Sequence, residues 1–118
     1  MLTKFPDAYA TGMTIAERGL RAAFLRKGNH VEEYYNMLRE NDKFKNIVTD
    51  RGTEAMPNLE NYLAHRYIRQ GRVEDAQVFI ESLEGKYANS FILSRGPNRR
   101  LKWIPASQAA ENLRMLIE

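Results

Sequence analysis

Four basic residues fall within eight positions, Arg95, Arg99, Arg100 and Lys102, and the chain's only tryptophan, Trp103, follows directly. Cationic side chains on a protruding turn contact phosphates or acidic side chains, and an indole beside them stacks on a nucleobase. Gly96, Pro97 and Asn98 stand in the middle of the group, so these charges would ride on a turn between two short apolar runs. A purely structural role is also open. The charges would then keep the hairpin's edges from pairing with other chains, and Trp103 would pack into the core.

A second basic series, Arg66, Arg69 and Arg72, recurs at intervals of three, and Arg18 and Arg21 repeat the spacing nearer the N-terminus. On stacked helices these would join into one cationic face, with Tyr34 and Tyr35 nearby. Tyrosine and arginine dominate the energetics of protein interfaces. Because Tyr34 and Tyr35 are adjacent, one straight helix cannot bury both, and one of them belongs at a rim. Basic residues in last turns also complement the helix dipole, which accounts for Arg26, Lys27 and Arg69 without a partner.

Catalytic chemistry finds little to work with. The two histidines, His30 and His65, are 35 positions apart and form no metal-ligand pair of the i, i+4 kind. There is no phosphate-cradling glycine loop and no serine elbow. The chain has no cysteine, which excludes disulfides, thiolate metal sites and cysteine nucleophiles. The expectation is a non-enzymatic protein with no catalytic residues, no cofactor and no metal.

Charge is distributed unevenly around a net +3. Residues 1–30 and 91–118 each hold five bases and two acids, 31–60 hold four and seven, and 61–90 hold four of each. A uniformly cationic nucleic-acid binder would not look like this, but a protein with one local basic feature could. No apolar run approaches the ~18 residues that span a bilayer. The N-terminus lacks the apolar core of a secretory signal. No membrane association and a cytoplasmic location are therefore expected.

The elements that would position these groups announce themselves by a repeated phrase. Leu20, Phe24, Leu25, Arg26, Lys27 and Gly28 recur as Leu63, Tyr67, Ile68, Arg69, Gln70 and Gly71. Each is a helix end with a basic last turn and a glycine stop, followed by Val31-Glu32-Glu33 or Val73-Glu74-Asp75. Two antiparallel helical hairpins result. The first helix would open at a capping box, Thr14 to Glu17, and present Ala16, Gly19 and Ala23 to a close neighbour. Asn29 would cap the second, whose pattern slips after Leu38, a kink or break, before the helical segment ends near Gly52. Pro57 would start a third helix that stops at Gly71, and Val73 to Glu84 would form the fourth. Residues 90–94 and 100–104 would pair as a β-hairpin. Ala106 to Ile117 would close the domain with Ala109, Leu113, Leu116 and Ile117 inward.

The third and fourth helices resemble a tetratricopeptide-type hairpin. Leu63, Ala64, Tyr67, Gly71 and Ala76 stand at that family's leucine, small, tyrosine, glycine and alanine positions. The resemblance covers about one unit and implies close helix pairing with the tyrosine filling the gap beside the turn. The first hairpin departs from it, with Arg21 at the small position and Glu33 at the inward alanine. The two glycines are also 43 residues apart, longer than that family's period. Two helices followed by a basic hairpin are similar to winged-helix DNA binders as well. That resemblance implies phosphate contact by the wing, but the helix that would enter the groove carries Glu74, Asp75, Glu81 and Glu84.

The reading is one mostly α domain over 1–118. It comprises an N-terminal arm (1–13), helical hairpins (14–86), a β-hairpin (90–104) and a closing helix (106–117). Its expected role is a protein–protein interaction module, an adaptor or inhibitor. It would bind through Arg66, Arg69, Arg72, Tyr34 and Tyr35 together with the hairpin residues Arg95, Arg99, Arg100 and Lys102. The alternative is a nucleic-acid-binding accessory protein that contacts phosphates through the hairpin tip. A second copy of the chain is a further candidate partner.

Overall fold

Five helices and one two-stranded sheet make up the domain, seen in a computed structural model that describes residues 8–25, 28–41, 44, 46–49, 52–95 and 100–117; the side chains of 8–11, 24, 28 and 95 are not among those described. In chain order these are α1 (Ala8–Phe24), α2 (Gly28–Arg39), α3 (Ala55–Arg69), α4 (Val73–Glu84), β1 (Phe91–Arg95), β2 (Leu101–Pro105) and α5 (Ala106–Ile117). The mostly α fold with helical hairpins and a sheet before a closing helix is thus the one the periodicity predicts.

α1 and α2 form the first hairpin, and the small face of α1 decides how they meet. Ala16 is fully buried, and a Cβ added at Gly19 would lie 3.1 Å from Tyr34 Cβ and 3.4 Å from Leu59. A side chain there would push α1 away from both α2 and α3. α1 begins at Ala8, six residues before the expected capping box, so Thr14 is an interior helical residue. Asn29 likewise lies inside α2, not at its cap.

Where the apolar pattern slips, the helix ends. α2 stops at Arg39, and Phe44 and Ile47 are buried beyond its end. A short bridge pairs Val48 with Glu54, and Gly52 turns the chain at φ +80°. This turn delivers Glu54 to the start of α3.

α3 is the central element, packed against every other element except β2. Leu59 and Leu63 are fully buried, while Pro57 occupies the third helical position rather than the first. Its C-terminus is a Schellman motif. Arg72 N–H donates to Tyr67 C=O at 2.8 Å, and Gly71 N–H donates to Ile68 C=O at 3.1 Å. Gly71 takes φ +79°, the left-handed conformation this cap requires and glycine adopts at no steric cost. α4 then returns antiparallel with Ala76, Ile80 and Leu83 buried.

β1 and β2 pair antiparallel with Ile92 opposite Ile104 and Leu93 opposite Trp103, each strand one residue later than expected. Side chains alternate across a strand, so one face of the hairpin carries Ile92 and Ile104, both buried against the helices. The other face carries Phe91, Leu93, Leu101, Trp103 and Pro105. α5 closes the core with Ala106, Ala109, Ala110 and Leu113. Leu116, expected to face inward, is exposed, while Ile117 in the same turn packs against the core. Among the described residues no helix is long and apolar enough to cross a membrane.

Candidate functional site

The outer face of the hairpin carries a cluster of exposed apolar side chains. Phe91 is 52% exposed, Leu101 44% and Trp103 45%, all on one side of two short strands. Trp103 therefore does not pack into the core. The strand alternation gives the reason: Ile92 and Ile104 take the inward face, which leaves the neighbouring odd positions outward. A depression of about 360 Å³ lies against this face, lined by Phe91, Trp103, Gly52 and Glu54. Arg100 and Lys102 are exposed on the same hairpin. Arg95 belongs to β1, and Arg99 lies outside the described residues.

The hairpin is held to α3 by side chains that sequence reasoning overlooked. The buried Asn58 accepts from Leu93 N–H at 2.9 Å through Oδ1, and its amide donates to Phe91 C=O at 3.2 Å and Glu54 C=O at 2.7 Å. Ser90 Oγ donates to Glu54 Oε2 at 2.8 Å, and Ala106 N–H donates to Ser90 C=O at 2.8 Å. Asn58 thus serves β1 as a neighbouring strand would. No spacing rule points to it; an asparagine one turn into a helix is an ordinary sight.

The arginine series is largely engaged within the molecule. Arg66 donates to Asn29 Oδ1 at 2.8 Å and joins α3 to α2. Arg72 pairs with Asp75 at 2.9 Å and lies over the Tyr67 ring, 4.1 Å from its centre. Tyr67 in turn donates to Glu32 at 2.9 Å, and burial together with that carboxylate pushes its hydroxyl up to about 12. Arg69 is exposed. The tyrosine pair divides as expected: Tyr35 is buried and Tyr34 half-buried. The structure therefore does not gather Tyr35 and the three arginines into one open face.

A second concavity, about 260 Å³, opens between α2, α3 and α4, lined by Tyr35, Arg39, Met56, Glu60, Val78, Phe79, Ser82 and Lys86. Glu60 is only 3% exposed, and its Oε2 accepts from Tyr35 O–H at 2.9 Å. Burial raises the Glu60 carboxyl above its ordinary range, and the nearby hydroxyls of Ser82 and Tyr35, with Lys86 and Arg39, offset part of that rise. Oε1 has no hydrogen-bond partner, and neither does the buried Tyr87 hydroxyl.

The histidines remain apart. His30 faces Glu33 on the exposed side of α2, with Nδ1 3.7 Å from Oε2. His65 on α3 is held below its ordinary value by burial and then by Arg69. Among the described residues no three metal-ligating side chains converge. Comparison with family models, with curated proteins and with solved structures returns no match.

Proposed function

We propose that this protein is a protein-binding module whose docking surface is the outer face of the β-hairpin. The observation that carries the reading is the alignment of Phe91, Leu101 and Trp103, all about half exposed, on one face of a two-stranded sheet. Half-exposed aromatic residues clustered in this way are costly in water and are the anchors that protein partners bury. Lys102 alternates to the opposite face, and with Arg100 it gives the exposed part of the hairpin a positive charge that steers an acidic partner. The arginines of α3 take a smaller part in this reading than their spacing suggests, since Arg66 and Arg72 already have internal partners.

The second reading is nucleic-acid binding, favoured by one observation: an exposed indole on a hairpin that also carries the exposed cations Arg100 and Lys102, groups suited to stacking a base and holding phosphate. Glu54 weighs against it. Its carboxylate lines the depression beside Trp103, where a polyanion would have to pass.

Site-specific photocrosslinking separates the two. A photoreactive residue at Leu101 is expected to trap a protein from native extract, while the same residue at Glu111 on α5 traps none. A nuclease-sensitive adduct would move the nucleic-acid reading to first place, and an adduct of the chain with itself would identify a second copy as the occupant. Absence of any adduct at position 101 overturns both readings.

A further inference from the structure

The two edges of the hairpin are not equivalent. Leu93 N–H and Phe91 C=O both turn to Asn58, away from β2, and Pro105 opposite Phe91 has no N–H to give. Ala106 N–H donates instead across the strands, to Ser90 C=O. These bonds fix the phase of the ladder. In an antiparallel pair, residues that exchange hydrogen bonds alternate with residues that do not, and the latter point N–H and C=O outward. Ile92–Ile104 and Ser94–Lys102 are therefore the bonded pairs, and Leu93–Trp103 and Arg95–Leu101 are not. The N–H and C=O of Leu101 and Trp103 thus project from the outer edge of β2.

Asn58 stands in for a neighbour on the β1 edge, but the β2 edge has no such cover. Among the described residues no group bonds the outward backbone of Leu101 or Trp103, and α3 does not pack against β2. An open edge is a template for another strand. We propose that the outer edge of β2 takes an extended acidic segment of a protein partner as a third, antiparallel strand. The inference rests on the hairpin being a protein-docking surface, and it adds how the partner is held. Charge selects the occupant. Arg100 and Lys102 are exposed and, among the described residues, pair with no carboxylate. A lysine on an edge deters neutral and basic strands, whereas an acidic strand turns the same charge into an attraction. Side chains directly opposite one another share a face, so the segment places apolar residues beside Leu101 and Trp103 and an acidic one beside Lys102. A second copy of β2 would instead add like charges to the same sheet. Glu54, the carboxylate lining the depression at Trp103, is already bonded to Ser90. Pro105 and the start of α5 at Ala106 end the edge, so the paired stretch is short.

The intact protein is titrated, with amide chemical shifts as the readout, with a capped octapeptide that alternates glutamate and valine. Controls are its lysine–valine counterpart and versions N-methylated either at the valines or at the glutamates. The glutamate–valine peptide is expected to bind with Kd below about 1 mM and to shift the amides of Leu101 and Trp103 most. The valine N–H groups face β2 in this register, so methylating them is expected to weaken binding about tenfold or more. Methylating the glutamates, whose N–H groups point away, has a smaller effect, and the lysine–valine peptide binds about tenfold or more weakly. An ester in place of the Trp103 amide removes the outward N–H and keeps the indole. It is expected to weaken peptide binding about tenfold while leaving the denaturation midpoint unchanged. Failure of the glutamate–valine peptide to bind overturns the proposal, as does equal binding of the valine-methylated or lysine–valine peptide. Shifts at Leu101 and Trp103 that follow protein concentration alone assign the edge to a second copy and overturn it as well. A protein adduct at Leu101 that forms although no peptide engages the edge removes the third strand and leaves the docking face in place.

Discussion

Asn58 and Leu93 form the bond on which the hairpin's position depends. The asparagine Oδ1 accepts from the Leu93 backbone N–H at 2.9 Å across 35 residues of chain, and the same amide group donates to Phe91 C=O. A two-stranded hairpin is marginal by itself in water. Here α3 supplies a side-chain amide in place of a third strand, and the outer face of the hairpin is presented in a fixed orientation as a result.

Asn58→Ala is therefore expected to destabilise the protein by about 2–4 kcal/mol, since it leaves Leu93 N–H and the Phe91 and Glu54 carbonyls without their partner. Denaturant unfolding measures the loss. Hydrogen exchange localises it: the Leu93 amide should lose protection well before the amides of α3. Uniform loss across the molecule would show that Asn58 supports the core and not the hairpin.

The two faces of the hairpin should respond oppositely to truncation. Ile104→Ala removes a buried side chain and is expected to cost about 2–4 kcal/mol. Trp103→Ala removes one that is already half in water and is expected to cost about 1 kcal/mol or less while abolishing partner capture. Because Trp103 is the only tryptophan, its fluorescence reports this directly. The native emission should be red-shifted and readily quenched by acrylamide, and partner binding should shift it to the blue.

Gly12 makes a sharper case than Gly19 for close helix packing. A Cβ at position 12 would fall inside van der Waals contact of both Phe44 and Ile47, two buried side chains that follow α2. Replacing a mid-helix glycine by alanine stabilises a helix by about 0.8–1 kcal/mol through propensity, whereas overpacking costs about 1–3 kcal/mol. Gly12→Ala is expected to be net destabilising in urea titrations. Phe44→Leu in the same chain should recover part of the loss.

Stability should also depend on pH through Glu60. Its carboxyl is raised in the folded state, so the fold favours the protonated form. The stability from that form is complete below the ordinary value of 4.5 and is lost as pH rises through the folded value. The groups facing it are Tyr35 and Arg39 of α2, Ser82 of α4, and Lys86 and Tyr87 after α4, and the two cations moderate the loss. Glu60→Gln is expected to remove this dependence, so that its thermal midpoint gains on the wild type as pH increases. His65 acts in the opposite direction. Its value is depressed, so its contribution is present above 6.5 and declines as pH falls. Measuring both proteins from about pH 4 to pH 8 separates the two.

Most of the architecture was legible in the one-dimensional chain, for a physical reason. Helices α4 and α5 bury residues at intervals of three and four, their ends carry a glycine or a proline, and local backbone geometry alone makes such signals readable. The Schellman cap at Gly71 and the slip after Leu38 belong to the same class; of the kink or break that the slip allowed, α2 shows a break, ending at Arg39. What the spacing of residues could not convey was how far a side chain's charge or ring is already used. Arg66 finds Asn29 and Arg72 finds Asp75 and Tyr67, so two arginines that read as an open basic stripe are occupied. Trp103 reads equally well as core or surface until the hairpin's register turns Ile104 inward and it outward. Asn58 and Glu60 gave no warning, because a buried polar group acquires its meaning only from what faces it across 25 to 35 residues of chain. Periodicity along the chain determined which elements form; only their packing decided which polar and aromatic groups remain available to a partner.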